Sequence, residues 1–237
     1  MQLNAITSPT IKELFVKEIE TQILSGAIAV GEKLPPEREM AAQMHVSRTT
    51  VNEGLAELER KGFIEIIPRK GNFVADYLRN GNLQTLMAML NFNGGNFKIE
   101  VFQSMMDFRR NVECEGAYLA ALHRKDEDLA ALDQICDEIE TAKTLEELAQ
   151  VLYRFHHGIL CATGNYIYPL IFNAFKDIIL VCSKTVFTTQ GAQSPTALTR
   201  EIVDAIRDNQ ADRARDLMFR LITSRMADLN KQHPSFE

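Results

Sequence analysis

At 237 residues the chain has room for two domains of ordinary size, each with its own core. Hydrophobic residues at 46% and charged residues at 24% exclude a disordered chain, and no run approaches the ~20 apolar residues of a membrane span. A formal net charge of −6 excludes a protein that coats nucleic acid indiscriminately, while leaving room for a local basic face.

The start, MQLNAITSPTIKE, lacks the basic n-region and apolar core of a signal peptide, so a cytoplasmic protein with no membrane partner is expected. Ser8 or Thr10 should cap a first helix that runs through IKELFVKEIETQIL and stops at Ser25-Gly26. Ile11, Leu14, Phe15, Ile19 and Ile23 give it an apolar face, interrupted by Glu18. The Gly-punctuated GAIAVGEKL that follows reads as a connection carrying a short strand.

From Leu34 to Leu58 the chain reads as two short helices. Pro36 suits a helix start, because its φ is preset and its missing N–H is not needed there. Leu34, Met40, Ala41 and Met44 share a face, His45-Val46 breaks the helix, and Ser47 caps the next. Val51, Leu55 and Leu58 then recur at the spacing of a buried stripe. The outward residues at the start of that second helix are Ser47, Arg48, Thr49, Thr50 and Asn52, short hydrogen-bonding side chains plus an Arg. A helix that enters a DNA major groove needs that composition. Beyond Gly62, FIEIIPRKGNFVAD gives two β-rich runs joined by Pro68-Arg69-Lys70-Gly71-Asn72, a hairpin with a basic tip. A helix-turn-helix followed by such a hairpin is a winged helix, and Arg38, Arg48, Arg69 and Lys70 can supply its basic face.

The expected fold is mainly α, an N-terminal winged helix-turn-helix with a small β-hairpin wing ahead of an all-α helical bundle. The expected domains are residues 1–76 for DNA binding, 77–96 as a linker with a short helix at Leu83, Leu86, Met87 and Leu90, and 97–237 as the effector and dimerisation bundle. The bundle segments begin at Phe97, Asp126, Leu145, Ile167, Pro195 and Ala211, with caps at Asn165 and at Ser194-Pro195. Cys114, Cys136, Cys161 and Cys182 form no C-x-x-C pair and are expected to be buried reduced thiols, with neither a zinc nor a redox site.

These residues resemble the GntR-type bacterial transcription regulators. The resemblance is carried by Leu34-Pro35-Pro36-Glu37-Arg38-Glu39-Met40-Ala41, by Val46-Ser47-Arg48-Thr49-Thr50-Val51-Asn52-Glu53-Gly54-Leu55, and by Lys70-Gly71-Asn72-Phe73-Val74. It implies DNA contacts at Arg38, Arg48, Thr49 and Thr50, with Gly71 close to the minor groove. Two positions depart from the pattern, Asn52 where an Arg is usual and Gly54 where an Ala is usual. Arg reads guanine bidentately and Asn suits adenine, so the operator should differ at that base pair. The second half resembles the ligand-sensing domain of the FadR subgroup, through Phe108-Arg109-Arg110-Asn111-Val112-Glu113, Phe155-His156, Ala162-Thr163-Gly164-Asn165 and Ile202-Val203-Asp204-Ala205-Ile206.

Many members of that subgroup are understood to hold a divalent metal through one Asp and three His. Those positions fall here on Leu152, His156, Thr199 and Leu221, so one ligand of four remains and no metal is expected. His157 and His123 are read as solvent-facing or hydrogen-bonded. The stretch from Gly164 to Lys176 is similar to that of the metal-free fatty-acid regulator of the subgroup, which implies an acyl-coenzyme A or other organic acid as effector. The polar candidates for that effector are Arg109, Arg110, His156, Asn165, Tyr168, Asn173, Lys176 and Arg200, although Arg109 or Arg110 can equally pair with Glu113 along the helix.

The expected function is a homodimeric, sequence-specific regulator that binds a double-stranded DNA operator and senses a small molecule. Two alternatives stay open: an effector-free dimeric regulator, and a metal-dependent carboxylate sensor with a non-standard ligand set. An enzyme is not expected, because no nucleophile with a paired base, phosphate loop or complete metal set is present.

Overall fold

The structure is a computed structural model that describes residues 9–92, 99–180, 183 and 196–232. The expected caps at Ser8 and Ser194-Pro195, the thiol Cys182, Phe97 and residues 93–96 lie outside the described residues. The chain divides into two compact units, Met1–Phe97 and Lys98–Glu237.

The first unit opens with α1 (Ile11–Leu24), capped by Thr10, whose Oγ1 accepts from the Glu13 N–H at 3.2 Å. The Glu13 carboxylate accepts from the Thr10 N–H at 2.7 Å, which completes a capping box. The buried face of α1 is Phe15, Val16, Ile19 and Ile23; Ile11 and Leu14 are 63% and 54% exposed. The stripe is therefore rotated from the expected one. Phe15, Ile19 and Ile23 at i, i+4 and i+8 set its centre, Ile11 and Leu14 fall outside it, and Glu18 points to solvent.

Next come α2 (Glu37–Gln43) and α3 (Arg48–Arg60), joined through His45 in the left-handed region at φ 52. Ser47 caps α3 and Val51, Leu55 and Leu58 are buried, as the spacing required. Buried Gly54 explains one departure from the usual pattern. A Cβ there would lie 2.3 Å from Cδ1 of Phe15, so the glycine lets the α1 ring pack against the α3 backbone. Ion pairs of Lys12 with Glu57 at 2.8 Å and of Lys61 with Glu20 at 2.9 Å lie along the same helix pair.

The wing is the antiparallel pair β1 (Ile64–Ile67) and β2 (Gly71–Val74), in register Ile64 with Val74 and Ile67 with Gly71. The connection after α1 adds strand-like pairing to the other edge of β2: the Val74 N–H donates to the Glu32 carbonyl at 2.9 Å and the Leu34 N–H to the Asn72 carbonyl at 2.8 Å.

Residues read as linker form α4 (Tyr77–Asn80) and α5 (Leu83–Asn91). They are tied to the end of α3, where Asn82 Nδ2 donates to the Arg60 carbonyl at 2.9 Å and the Thr85 hydroxyl donates to the Lys61 carbonyl. Of the stripe expected on α5, Leu90 is buried, but Leu83 and Leu86 are 59% and 37% exposed. Docking through Asn82 and Thr85, not periodicity, decides which face turns inward.

The second unit comprises α6 (Ile99–His123), α7 (Asp126–Thr141), α8 (Leu145–Cys161), α9 (Ile167–Ala174), α10 (Thr196–Arg207) and α11 (Ala211–Gln232). One apolar core, including Ala117, Leu132, Ile139, Phe155, Ile202 and Met218, joins α6, α7, α8, α10 and α11. The helix expected to run unbroken from Ile167 ends at Ala174 and resumes at 176–180 after Phe175. Asn165 caps the start of α9, its Oδ1 accepting from the Ile167 N–H at 2.8 Å. Cys114 and Cys136 are buried, and burial pushes both thiols up to about 11. Cys161 corrects the expectation of burial. It is exposed in the last turn of α8, its Sγ 3.6 Å from His157 Nδ1.

Candidate nucleic-acid interface and bundle site

The exposed start of α3 is built by its cap. Ser47 Oγ accepts from the Thr50 N–H at 3.0 Å and lies 2.8 Å from Thr50 Oγ1, so these two hydroxyls hold the first turn. Arg48, Thr49 and Asn52 are left exposed, and Arg48 and Asn52, four apart, share a face. The expected contact residues therefore divide into a pair that shapes the helix start and a trio that faces outward.

At the wing tip the Lys70 N–H donates to the Ile67 carbonyl at 3.0 Å, closing a turn with Pro68 and Arg69 at its centre. Arg69 has φ 66, the left-handed geometry that a type II turn demands at that position and that glycine or asparagine usually fills. An arginine held there costs about 1–2 kcal/mol. Gly71 follows at φ 116, where any side chain would be strained.

The distribution of ion pairs separates the cations of this unit. Lys12, Lys61 and Arg79 pair with carboxylates, whereas Arg38, Arg48, Arg69 and Lys70 form no salt bridge among the described residues and are exposed. Lys17 on α1 and Lys33 beside the wing are likewise without one. The sequence reading missed Lys33, and the signal was its place before the inward-facing Leu34, which turns it outward.

In the bundle, Arg109 and His156 come together around Glu113. Arg109 Nε donates to Glu113 Oε1 at 2.6 Å, and His156 Nδ1 lies 2.6 Å from Glu113 Oε2 without the alignment of a hydrogen bond. All three are buried, Glu113 at 1% exposure. Burial is the largest single influence on the Glu113 carboxyl and pushes its pKa up. The charge and hydrogen bonds of Arg109, with the charge of the nearby His156, together outweigh it and hold the group at about 2.

The other effector candidates are dispersed. Arg110 pairs with Asp107 at 3.0 Å, and Arg200 bridges α10 to Asp137 and Glu140 of α7. Asn165 is spent on its cap. Asn173 accepts from the Tyr153 hydroxyl, the Lys176 ammonium lies 5.4 Å from the Tyr153 ring centroid, and Tyr168 is half-buried. His123 Nδ1 lies 3.0 Å from the Thr163 carbonyl, and half-buried His157 stacks on Tyr153 with ring centroids 6.0 Å apart.

The residues do not fit the four-ligand metal set. Leu152, Thr199 and Leu221 are buried at 6%, 0% and 4% exposure, the two leucines within the apolar core. His156 already meets Glu113, whose other oxygen is held by Arg109. Among the described residues no group of three His, Cys, Asp or Glu side chains could hold a metal ion.

A capped helix presenting Arg48, Thr49 and Asn52, flanked by a basic β-hairpin and followed by a helical bundle, defines a winged-helix DNA-binding protein with a second, all-helical domain. Residues 12–74 match the family described as "Bacterial regulatory proteins, gntR family" and residues 104–224 match the FCD domain. The chain belongs to the GntR family, in the group that carries an FCD domain, and is a DNA-binding transcriptional regulator and not an enzyme. It is 29% identical over 243 residues to the HTH-type transcriptional regulator Mce2R of Mycobacterium tuberculosis, covering 98% of each chain. It is 29% identical over 178 residues to the fatty acid metabolism regulator protein of Shewanella denitrificans, covering 75% of this chain and 73% of that one. A solved structure of Lar, which controls the agr system of Listeria monocytogenes, shares the fold at TM-score 0.59 and 14% identity, covering 95% of this chain and 99% of that one. Regulators of this family bind DNA operators and FCD domains bind small-molecule effectors. No helix among the described residues is long and apolar enough to cross a membrane.

Proposed function

We propose that the chain is a cytoplasmic homodimer that reads a near-palindromic operator with one winged helix per half-site, and that its bundle binds an acyl-type or other organic-acid effector without a metal. The observation that carries the DNA reading is that Arg38, Arg48, Arg69 and Lys70, on the helix-turn-helix and the wing, are all exposed and form no salt bridge among the described residues. Arg48, Thr49 and Asn52 enter the major groove, Ser47 and Thr50 fix the helix start against the backbone, and the Arg69-Lys70-Gly71 tip lies along the adjacent groove. Two copies follow from two half-sites.

The backbone strain at Arg69 supports this role, because a residue that costs stability at an exposed turn is retained for something other than folding. Replacing Arg69 by Gly should raise stability by about 0.5–1 kcal/mol, after allowing for the greater freedom of glycine in the unfolded chain. The same change should weaken DNA binding several-fold at every sequence, since one phosphate-facing cation is lost. Urea unfolding and a gel-shift titration of the same variant check both signs; unchanged DNA affinity would remove the wing tip from the interface.

For the bundle, the buried Arg109, Glu113 and His156 cluster is the polar centre an effector would meet, and the buried Leu152, Thr199 and Leu221 at three metal positions support a metal-free site. The likeness to regulators of fatty acid metabolism supports an acyl-type ligand. A second reading, an effector-free regulator, is favoured by Glu113 already neutralising Arg109. Native mass spectrometry with metal analysis on gently purified protein separates them. A dimer carrying an organic acid or acyl-coenzyme A bears out the first reading, an empty metal-free dimer favours the second, and a stoichiometric metal contradicts both.

A further inference from the structure

The connection between α1 and α2 carries a cation that neither the helix-turn-helix nor the hairpin accounts for. Lys33 bridges Phe73 across the edge of β2 opposite β1, so its side chain and the Phe73 ring stand on the same face. Leu34 is turned the other way, into the core at 2% exposure. The Lys33 ammonium lies 5.8 Å from the Phe73 ring centroid, and a Cβ on Gly71 would lie 2.8 Å from Lys33 Cε. The stem thus crosses the sheet face over Gly71, the residue that follows Arg69 and Lys70. Lys33 is exposed and, like those two, forms no salt bridge among the described residues, whereas Lys12 and Lys61 are paired.

From this placement we propose that Lys33 is a third phosphate-binding cation of the wing. It is supplied by the strand-like connection and steered towards the tip by the Phe73 ring and by the space that Gly71 leaves open. The proposal rests on the DNA-binding reading and deepens it, because it extends the basic surface from the hairpin tip to a separate chain segment. Glu65 pairs with Phe73 from the β1 side, so a carboxylate stands across the ring from Lys33.

The test needs no knowledge of the operator, since non-specific binding is carried by phosphate contacts. Wild type, Lys33→Met, Lys33→Arg and Lys17→Met are titrated with a duplex of arbitrary sequence across a series of salt concentrations. Methionine keeps the stem that packs on Phe73 and removes the charge. Lys33→Met is expected to make the slope of log K against log salt shallower by about 0.9, with a fivefold to tenfold loss of affinity near ~0.1 M salt. Lys33→Arg should restore the slope, and Lys17→Met should leave it unchanged. Weaker binding in Lys33→Met at an unchanged slope would leave Lys33 with packing alone and overturn the proposal. A wild type that binds no duplex at low salt would overturn the DNA-binding reading as well.

Discussion

Replacing Glu113 by Ala is expected to cost the helical bundle about 3–5 kcal/mol. The carboxylate is almost wholly buried and stands between Arg109 and His156, so its removal leaves a buried guanidinium without its counter-charge. Urea unfolding of the variant measures the loss, and a change below about 1 kcal/mol would show that the cluster is solvated and not a structural centre. The same geometry sets a pH dependence. The folded carboxyl is held at about 2, below its ordinary value of 4.5. The group therefore contributes stability that is fully present above pH 4.5 and is lost as the pH falls towards about 2. In Glu113→Ala that part of the acid sensitivity should vanish.

The second large effect concerns Gly54. Ala is the better helix former by about 1 kcal/mol, so propensity alone makes Gly54→Ala stabilising. Packing reverses the sign. The new Cβ would fall 2.3 Å from Cδ1 and 2.6 Å from Cε1 of Phe15, a ring that is 1% exposed. Overpacking of this kind costs about 1–3 kcal/mol, and shortening the ring by Phe15→Leu should recover much of it in the double variant. Thermal unfolding of the four proteins of the cycle gives the coupling. Gly54→Ala as stable as wild type would mean that α1 shifts freely on α3, and the docking of the recognition helix would then be less rigid than the structure indicates.

The elements whose residues report locally were legible in the sequence. Ser47 and Thr10 announce helix starts because capping is a contact within one turn, and the hairpin follows from two β-rich runs around a Pro-containing turn. What escaped depends on partners distant in the chain. The face of α1 is set by Gly54 of α3 and the docking of α5 by carbonyls at the end of α3, and neither can be read from periodicity. The helix end at Ala174 breaks an apolar run in which no Gly or Pro marks the break. For the interface, the outward trio Arg48, Thr49 and Asn52 was readable from composition and spacing, whereas Lys33 came into view only once the connection paired with β2. In the bundle, Arg109 had two open readings at sequence level; the structure places it against Glu113, together with a histidine forty-three positions further along the chain that no local rule could supply.

The central claim is that the exposed face of α3 reads base edges, and selection from a pool of random duplexes tests it most directly, with wild type and Asn52→Arg run side by side. The expected result is a near-palindromic sequence enriched by the wild type with adenine at one position of each half-site, and guanine replacing it when Asn52 becomes Arg, because the two side chains pair with different base edges at a gain of about 1–3 kcal/mol each. Enrichment of the same sequence by both proteins would take Asn52 out of the readout, and no enrichment by the wild type would contradict sequence recognition by this helix altogether.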